Sequence, residues 1–208
     1  MRVKQLALCV VAILLVTALS TTIVRSEDKP ADKAGAAAMP TPEQMMAIMA
    51  KYGTPGPEHA KLKTMEGTFD ADVTMQMMPD APPQTSKGKM KNTMILDGRY
   101  LMGEYEGEMM GQPFKGMVIS GYDRYAKKYT STWVDSMSTL AMNSEGTADD
   151  AGKITLKCTF DCPITQSKRT SKEVLTINSP DSHTMEMFDT GPDGKEFKSM
   201  TIKYTRAK

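Results

Sequence analysis

Residues 67–77, Gly67-Thr68-Phe69-Asp70-Ala71-Asp72-Val73-Thr74-Met75-Gln76-Met77, alternate without a break. Phe69, Ala71, Val73, Met75 and Met77 fall on one face of an extended chain, and Asp70, Asp72, Thr74 and Gln76 on the other. That is the pattern of a half-buried β-strand. It continues to the C-terminus. After a loop at 79–83, Gly88, Met90, Asn92, Met94 and Leu96 alternate with Lys87, Lys89, Lys91 and Thr93, and Asp97-Gly98 closes a hairpin. Residues 99–107 and 114–122 are extended on either side of the turn Met109-Met110-Gly111-Gln112-Pro113. Tyr129, Ser131, Trp133 and Asp135 share a face of the next strand, 139–147 is another, and Asp149-Asp150-Ala151-Gly152 turns into Ile154, Leu156, Cys158 and Phe160. Segments 172–177, 183–188 and 196–206 complete the series, the last two joined at Gly191-Pro192-Asp193-Gly194. About ten strands with hairpin-type turns and no crossover helices predict an all-β, antiparallel, up-and-down barrel. Closure hides the apolar face of each strand and removes exposed edges, and a barrel of this strand number has room for an interior cavity.

Upstream the pattern changes. Met1-Arg2-Val3-Lys4 is a short basic head, residues 6–19 are apolar apart from Thr17, and small residues follow at Ala18, Ser20 and Ser26. This layout predicts a secretory signal peptide over 1–20, with 26 as the alternative end and an uncleaved anchor as the rival reading. Cys9 does not make it a lipoprotein signal, because Leu8 precedes it and the apolar run continues past it. Residues 21–40 are polar and Ala/Pro-rich, a disordered tether. Thr41 caps a short amphipathic helix over 41–53, with Pro42 at its first position and Gly53 at its end. With Met45, Met46, Ile48 and Met49 the helix either docks on the barrel or frays, or it forms a Met-lined lid. Residues 58–62 read as one or two helical turns, and 55–208 is the barrel domain. The expected location is periplasmic or extracellular, with no membrane attachment after cleavage.

The 208 residues carry 26 basic and 25 acidic side chains for a net charge of +1, so no basic field exists to bind nucleic acid. Loss of the signal removes Cys9 and leaves Cys158 and Cys162. Zinc would need four ligands and a redox pair two intervening residues; this pair offers neither. A disulfide suits an oxidising compartment. On one extended strand, however, the two Cα atoms would lie ~13 Å apart, so a bridge requires a turn at Asp161-Cys162-Pro163. No twelve-residue calcium loop, phosphate loop, zinc motif or nucleophile elbow occurs, and no cofactor is expected.

Two features resemble the calycin group, which contains lipocalins and fatty-acid-binding proteins. A helical turn leads into Gly67-Thr68-Phe69, similar to that group's Gly-x-Trp opening with Phe69 in place of Trp, and the last strand ends Tyr204-Thr205-Arg206, where calycins set an Arg across the first strand's Trp. More specifically, the chain resembles a bacterial family known as domain of unknown function 1579. Collinear motifs carry the resemblance from about residue 55 to 206: Pro55-Gly56-Pro57-Glu58-His59, Glu104-Tyr105-Glu106-Gly107, Met110-Gly111-Gln112-Pro113-Phe114, Gly121-Tyr122-Asp123, Ser131-Thr132-Trp133-Val134-Asp135-Ser136 and the run from Met185 to Lys195. The resemblance implies a calycin-like barrel and no established activity.

The expected function is non-catalytic binding of a small, mainly apolar molecule inside the barrel. The lining is expected from Tyr129, Ser131, Trp133 and Asp135 on one strand, Met90 and Asn92 on another, and Tyr105 and Arg206. Met75, Met77, Met94, Met185, Met187 and Met200 add adaptable apolar surface. Asp135 is either a polar handle for the ligand, with Arg206 or Arg99 as charge partner, or a rim carboxylate capping the next turn. Two other classes stay open. His183-Thr184-Met185-Glu186-Met187 puts an imidazole and two thioethers on one strand face, a soft donor set for copper. His59 is the other histidine and titrates near neutrality, so an enzyme of unknown reaction would use it with Asp135. His59 equally reads as a packing or capping residue of its helical turn.

Overall fold

The alternation is realised as ten strands: β1 (Gly67–Met75), β2 (Gln84–Ile95), β3 (Tyr100–Met109), β4 (Gln112–Asp123), β5 (Lys128–Asp135), β6 (Met142–Ala148), β7 (Ile154–Cys162), β8 (Ser167–Ser179), β9 (Ser182–Thr190) and β10 (Glu196–Arg206). The computed structural model describes residues 39–208; the expected signal peptide and the tether up to residue 38 lie outside the described residues. Each strand pairs antiparallel with its sequence neighbour, and β1 pairs with β10, so the meander closes into a barrel. Closure puts Phe69 opposite Arg206 and Met75 opposite Met200.

Two helices precede the barrel, α1 (Pro42–Gly53) and α2 (Pro57–Lys63). α1 begins with a reciprocal cap: Thr41 accepts from the Gln44 amide while the Gln44 side chain accepts from Thr41 N–H. None of its residues is buried, and Met46 and Met49 are two-thirds exposed. Its contacts run to the β4–β5 turn, where Arg124 Nη1 donates to the carbonyls of Lys51 and Thr54 and Tyr125 meets Tyr52 edge-on at 5.2 Å. That turn lies at the end of the barrel where β1 begins, so α1 does not act as the lid.

α2 and the residues after it plug that same end. Leu62 and Met65 are buried with Leu101, Tyr129, Ile154 and Leu156. Asn92 Nδ2 donates to Met65 O at 2.9 Å, and Lys61 Nζ donates to Gly152 O of the β6–β7 turn. The second core cluster, around Phe69, Ala71, Met90, Tyr105, Phe114, Ile202 and Tyr204, continues up the β1–β4 and β10 wall.

The cysteines resolve by geometry. β7 stays extended through Cys162, and the turn begins only at Pro163. Cys158 and Cys162 therefore sit four residues apart on one strand, both as free thiols. The turn that a disulfide requires is absent.

Candidate functional site

Above the plug the barrel encloses a cavity of about 830 Å³. Its mouth is at the end opposite α2, ringed by Met75, Gln84, Met109, Met110, Asp135 and Asp189. The walls are mostly apolar with a few placed polar groups, the usual composition of a small-molecule site.

Tyr129, Ser131, Trp133 and Asp135 all face this cavity, as strand alternation requires. Trp133 lies flat along the wall, stacked on Phe114 at 6.3 Å, and has room because Gly116 sits beneath its ring: a Cβ there would collide with it. The Trp133 Nε1–H donates to Asp135 Oδ2 at 3.0 Å, while Asp135 Oδ1 accepts the Met137 amide at 2.9 Å. Asp135 thus caps the following turn and orients the Trp ring, and its hydrogen-bond partners are these two groups rather than Arg206 or Arg99. Met90, Asn92 and Tyr105 line the lower cavity and are buried. Desolvation pushes the Tyr129 phenol up to about 12, so it stays a neutral hydroxyl.

Arg206 is not part of the lining. Its guanidinium lies over the Phe69 ring at 4.5 Å. It donates to the carbonyls of Glu66, Thr64 and Pro180 and to the Asp181 carboxylate at 2.9 Å. The residue ties the chain's end across the plugged base. Gly67, at φ 123°, leaves the space one guanidinium nitrogen occupies.

The methionine set divides. Met75, Met90, Met185, Met187 and Met200 line the cavity, joined by Met65, Met109, Met110 and Met142. Met77 lies beyond the end of β1 and is half exposed, and Met94 faces the outer groove beside His59. His183 faces the cavity, but its ring is stacked on Tyr204 at 4.5 Å and meets Phe69 edge-on at 4.7 Å. Burial, with the Arg206 charge nearby, lowers its pKa to about 4. Among the described residues no three His, Cys, Asp or Glu side chains converge as a metal site.

His59 and Asp135 are at opposite ends. His59 is buried in α2, its Nδ1 accepting from the Gly56 amide at 3.1 Å and its ring edge-on to Tyr122. Tyr122 pairs with Tyr129, and Asp135 is six residues further along β5, roughly 20 Å at strand rise. Burial lowers the His59 pKa as well. No reacting pair can be assembled from these two residues.

The structure adds Glu173, Ser171 and Ser144, which the sequence reading passed over. Glu173 and Ser171 line the cavity from β8, and Ser144 Oγ donates to Glu173 Oε1 at 2.9 Å. Burial pushes the Glu173 carboxyl up from the ordinary glutamate range. The signal was present in the chain: Glu173 shares strand parity with Leu175 and Ile177, which marks an inward acid.

The profile of the family described as "Protein of unknown function (DUF1579)" matches residues 54–206. No curated protein matches the chain. Among solved structures, the S-type phycobiliprotein lyase CPES from Guillardia theta superimposes with a TM-score of 0.53 at 11% identity, covering 73% of this chain and 93% of that one. That likeness shows the barrel fold alone. A redesigned β-barrel covers 70% of this chain and 94% of its own at 17% identity, with a TM-score of 0.36, too loose a likeness to carry an argument.

Proposed function

The chain belongs to the DUF1579 family of proteins of unknown function, and from that starting point we propose that its barrel is a container that holds a small, mainly apolar molecule without transforming it. The observation that carries this reading is the cavity: about 830 Å³, plugged by α2 at one end and reached from the other. Pockets of 300–1,000 Å³ with apolar walls and few polar groups suit molecules of small-ligand size. Thioethers around the mouth give a lining that adapts to shape rather than demanding one. The basic, apolar and small-residue order of residues 1–26 supports a site of action outside the cytoplasm.

Trp133 reports directly on the reading. It is the single Trp of the chain and faces the cavity. A molecule entering must displace water from its ring, so emission should shift to the blue and saturate on titration with isoprenoid alcohols or other uncharged apolar molecules. Emission unchanged by isoprenoids, fatty acids and tetrapyrroles alike would sink the container reading. Co-purified small molecules, identified by mass spectrometry of protein from the native host, supply the ligand itself.

A further inference from the structure

Four adjacent strands place one small polar side chain each in a lateral row. Ser131 of β5 faces Ser144 of β6, Ser144 faces Cys158 of β7, and Cys158 faces Ser171 of β8. All four are at least nine-tenths buried. Two residues beyond Ser171, on the same face, stands Glu173, joined to the row by the hydrogen bond from Ser144. A carboxylate offers about four acceptor sites; Ser144 fills one. The Ser171 hydroxyl, buried and lining the cavity, has no hydrogen-bond partner. Buried polar groups ordinarily have one.

The charges on the cavity wall have one sign. Glu108, Asp135, Glu173 and Asp189 line it, and among the described residues no Lys or Arg does. Asp135 is engaged by Trp133 and Met137, and Asp189 stands 3.8 Å from Arg169. Glu173 makes no ion pair among the described residues, and its cross-strand neighbours are Leu156 and Met187. Cys158 is the titratable group beside it. A carboxyl in apolar surroundings either stays protonated or takes a cation.

We propose that the molecule held in the barrel carries a basic nitrogen, and that Glu173 is its counter-ion, with the Ser171 hydroxyl accepting a second N–H. This rests on the container reading and names the ligand class: a hydrophobic amine rather than a fatty acid. The charge-assisted N–H···O bond is a strong one in a dry site. It meets the carboxylate with the charge it lacks, and a ligand carboxylate would add a second anion to an all-acidic wall.

Three probes with one chain length separate the possibilities: dodecylamine, dodecanol and dodecanoate, titrated against Trp133 emission at neutral pH. Wild type should bind the amine at least tenfold more tightly than the alcohol, and the carboxylate least. In Glu173→Gln the amine's advantage should vanish while alcohol binding holds. In Asp72→Asn, on the outer face of β1, the advantage should remain. Equal binding of amine and alcohol by wild type overturns the inference and leaves the container standing, as does an amine preference that survives Glu173→Gln. Binding of none of the three overturns both. Glu173→Gln should melt no lower than wild type, because burial opposes ionisation there. If it fails to fold, Glu173→Asp draws the charge back from the hydroxyls and should cut the advantage severalfold; an undiminished advantage then overturns the inference.

Discussion

Arg206 shows what one residue contributes to closing a barrel. Its guanidinium bridges the last strand to Thr64 and Glu66 before β1 and to Pro180 and Asp181 in the β8–β9 turn, with Phe69 beneath it. A planar fork with five donors can reach these acceptors together; an ammonium cannot. The cation–π contact is worth ~0.5–2 kcal/mol, and acceptors left unpartnered in a partly buried site cost about 1–3 kcal/mol. Arg206→Ala should therefore lower unfolding free energy in urea by about 2–4 kcal/mol, and Arg206→Lys should recover less than half of the loss. Ligand-dependent Trp133 emission should survive in both, because Arg206 stands outside the cavity. A loss under 0.5 kcal/mol would contradict the bridging role.

At the scale of an element, β9 carries the His183-x-Met185-x-Met187 face. All three side chains reach the cavity, but the imidazole is committed to the Tyr204 stack and the Phe69 edge. Its pKa, about 4 when folded, lies below the ordinary histidine value. The unfolded chain therefore takes up the proton first as pH falls. The stabilising effect of a neutral His183 is complete above pH ~6.5 and disappears progressively down to pH ~4, amounting to roughly 3 kcal/mol. The difference in stability between wild type and His183→Phe, measured by chemical denaturation from pH 7.5 to 4, should follow that slope; a flat difference would mean that the ring is solvated. His59 is also held low by burial and is common to both proteins, so it cancels in the difference. The same packing predicts no one-to-one Cu(I) binding by competition titration. Tight stoichiometric binding lost in His183→Ala would restore the soft-metal reading.

For the whole molecule, the proposal that the chain acts outside the cytoplasm rests on the basic, apolar and small-residue order of residues 1–26. N-terminal sequencing of the exported protein should begin at Thr21 or Glu27. Recovery of the chain with Met1 intact in a membrane fraction would instead make the head an anchor. The single-signed wall of the cavity also belongs to this scale, since its four acids come from four strands, β3, β5, β8 and β9.

The strand count, the meander and the inward face of β5 were readable in the chain, because period two and turn residues are local properties. So was the meeting of Phe69 with Arg206, through the motifs that open and end the barrel. Register and closure are not local. Whether Cys158 and Cys162 could bridge depended on where β7 stops, and the separation of His59 from Asp135 depended on which barrel end each strand terminus reaches. Arg206 has the inward parity of Tyr204 and Ile202, yet as the last residue of β10 its side chain turns to the carbonyls of Thr64, Glu66 and Pro180 at the base rather than into the cavity. Ser144 and Glu173 are 29 residues apart in sequence, and only the stacking of β6, β7 and β8 brings hydroxyl and carboxyl into contact. Sequence alone determined the barrel and its apolar interior; tertiary structure decided which polar groups meet inside it, because cross-strand neighbours are set by a register that the whole closed sheet must satisfy.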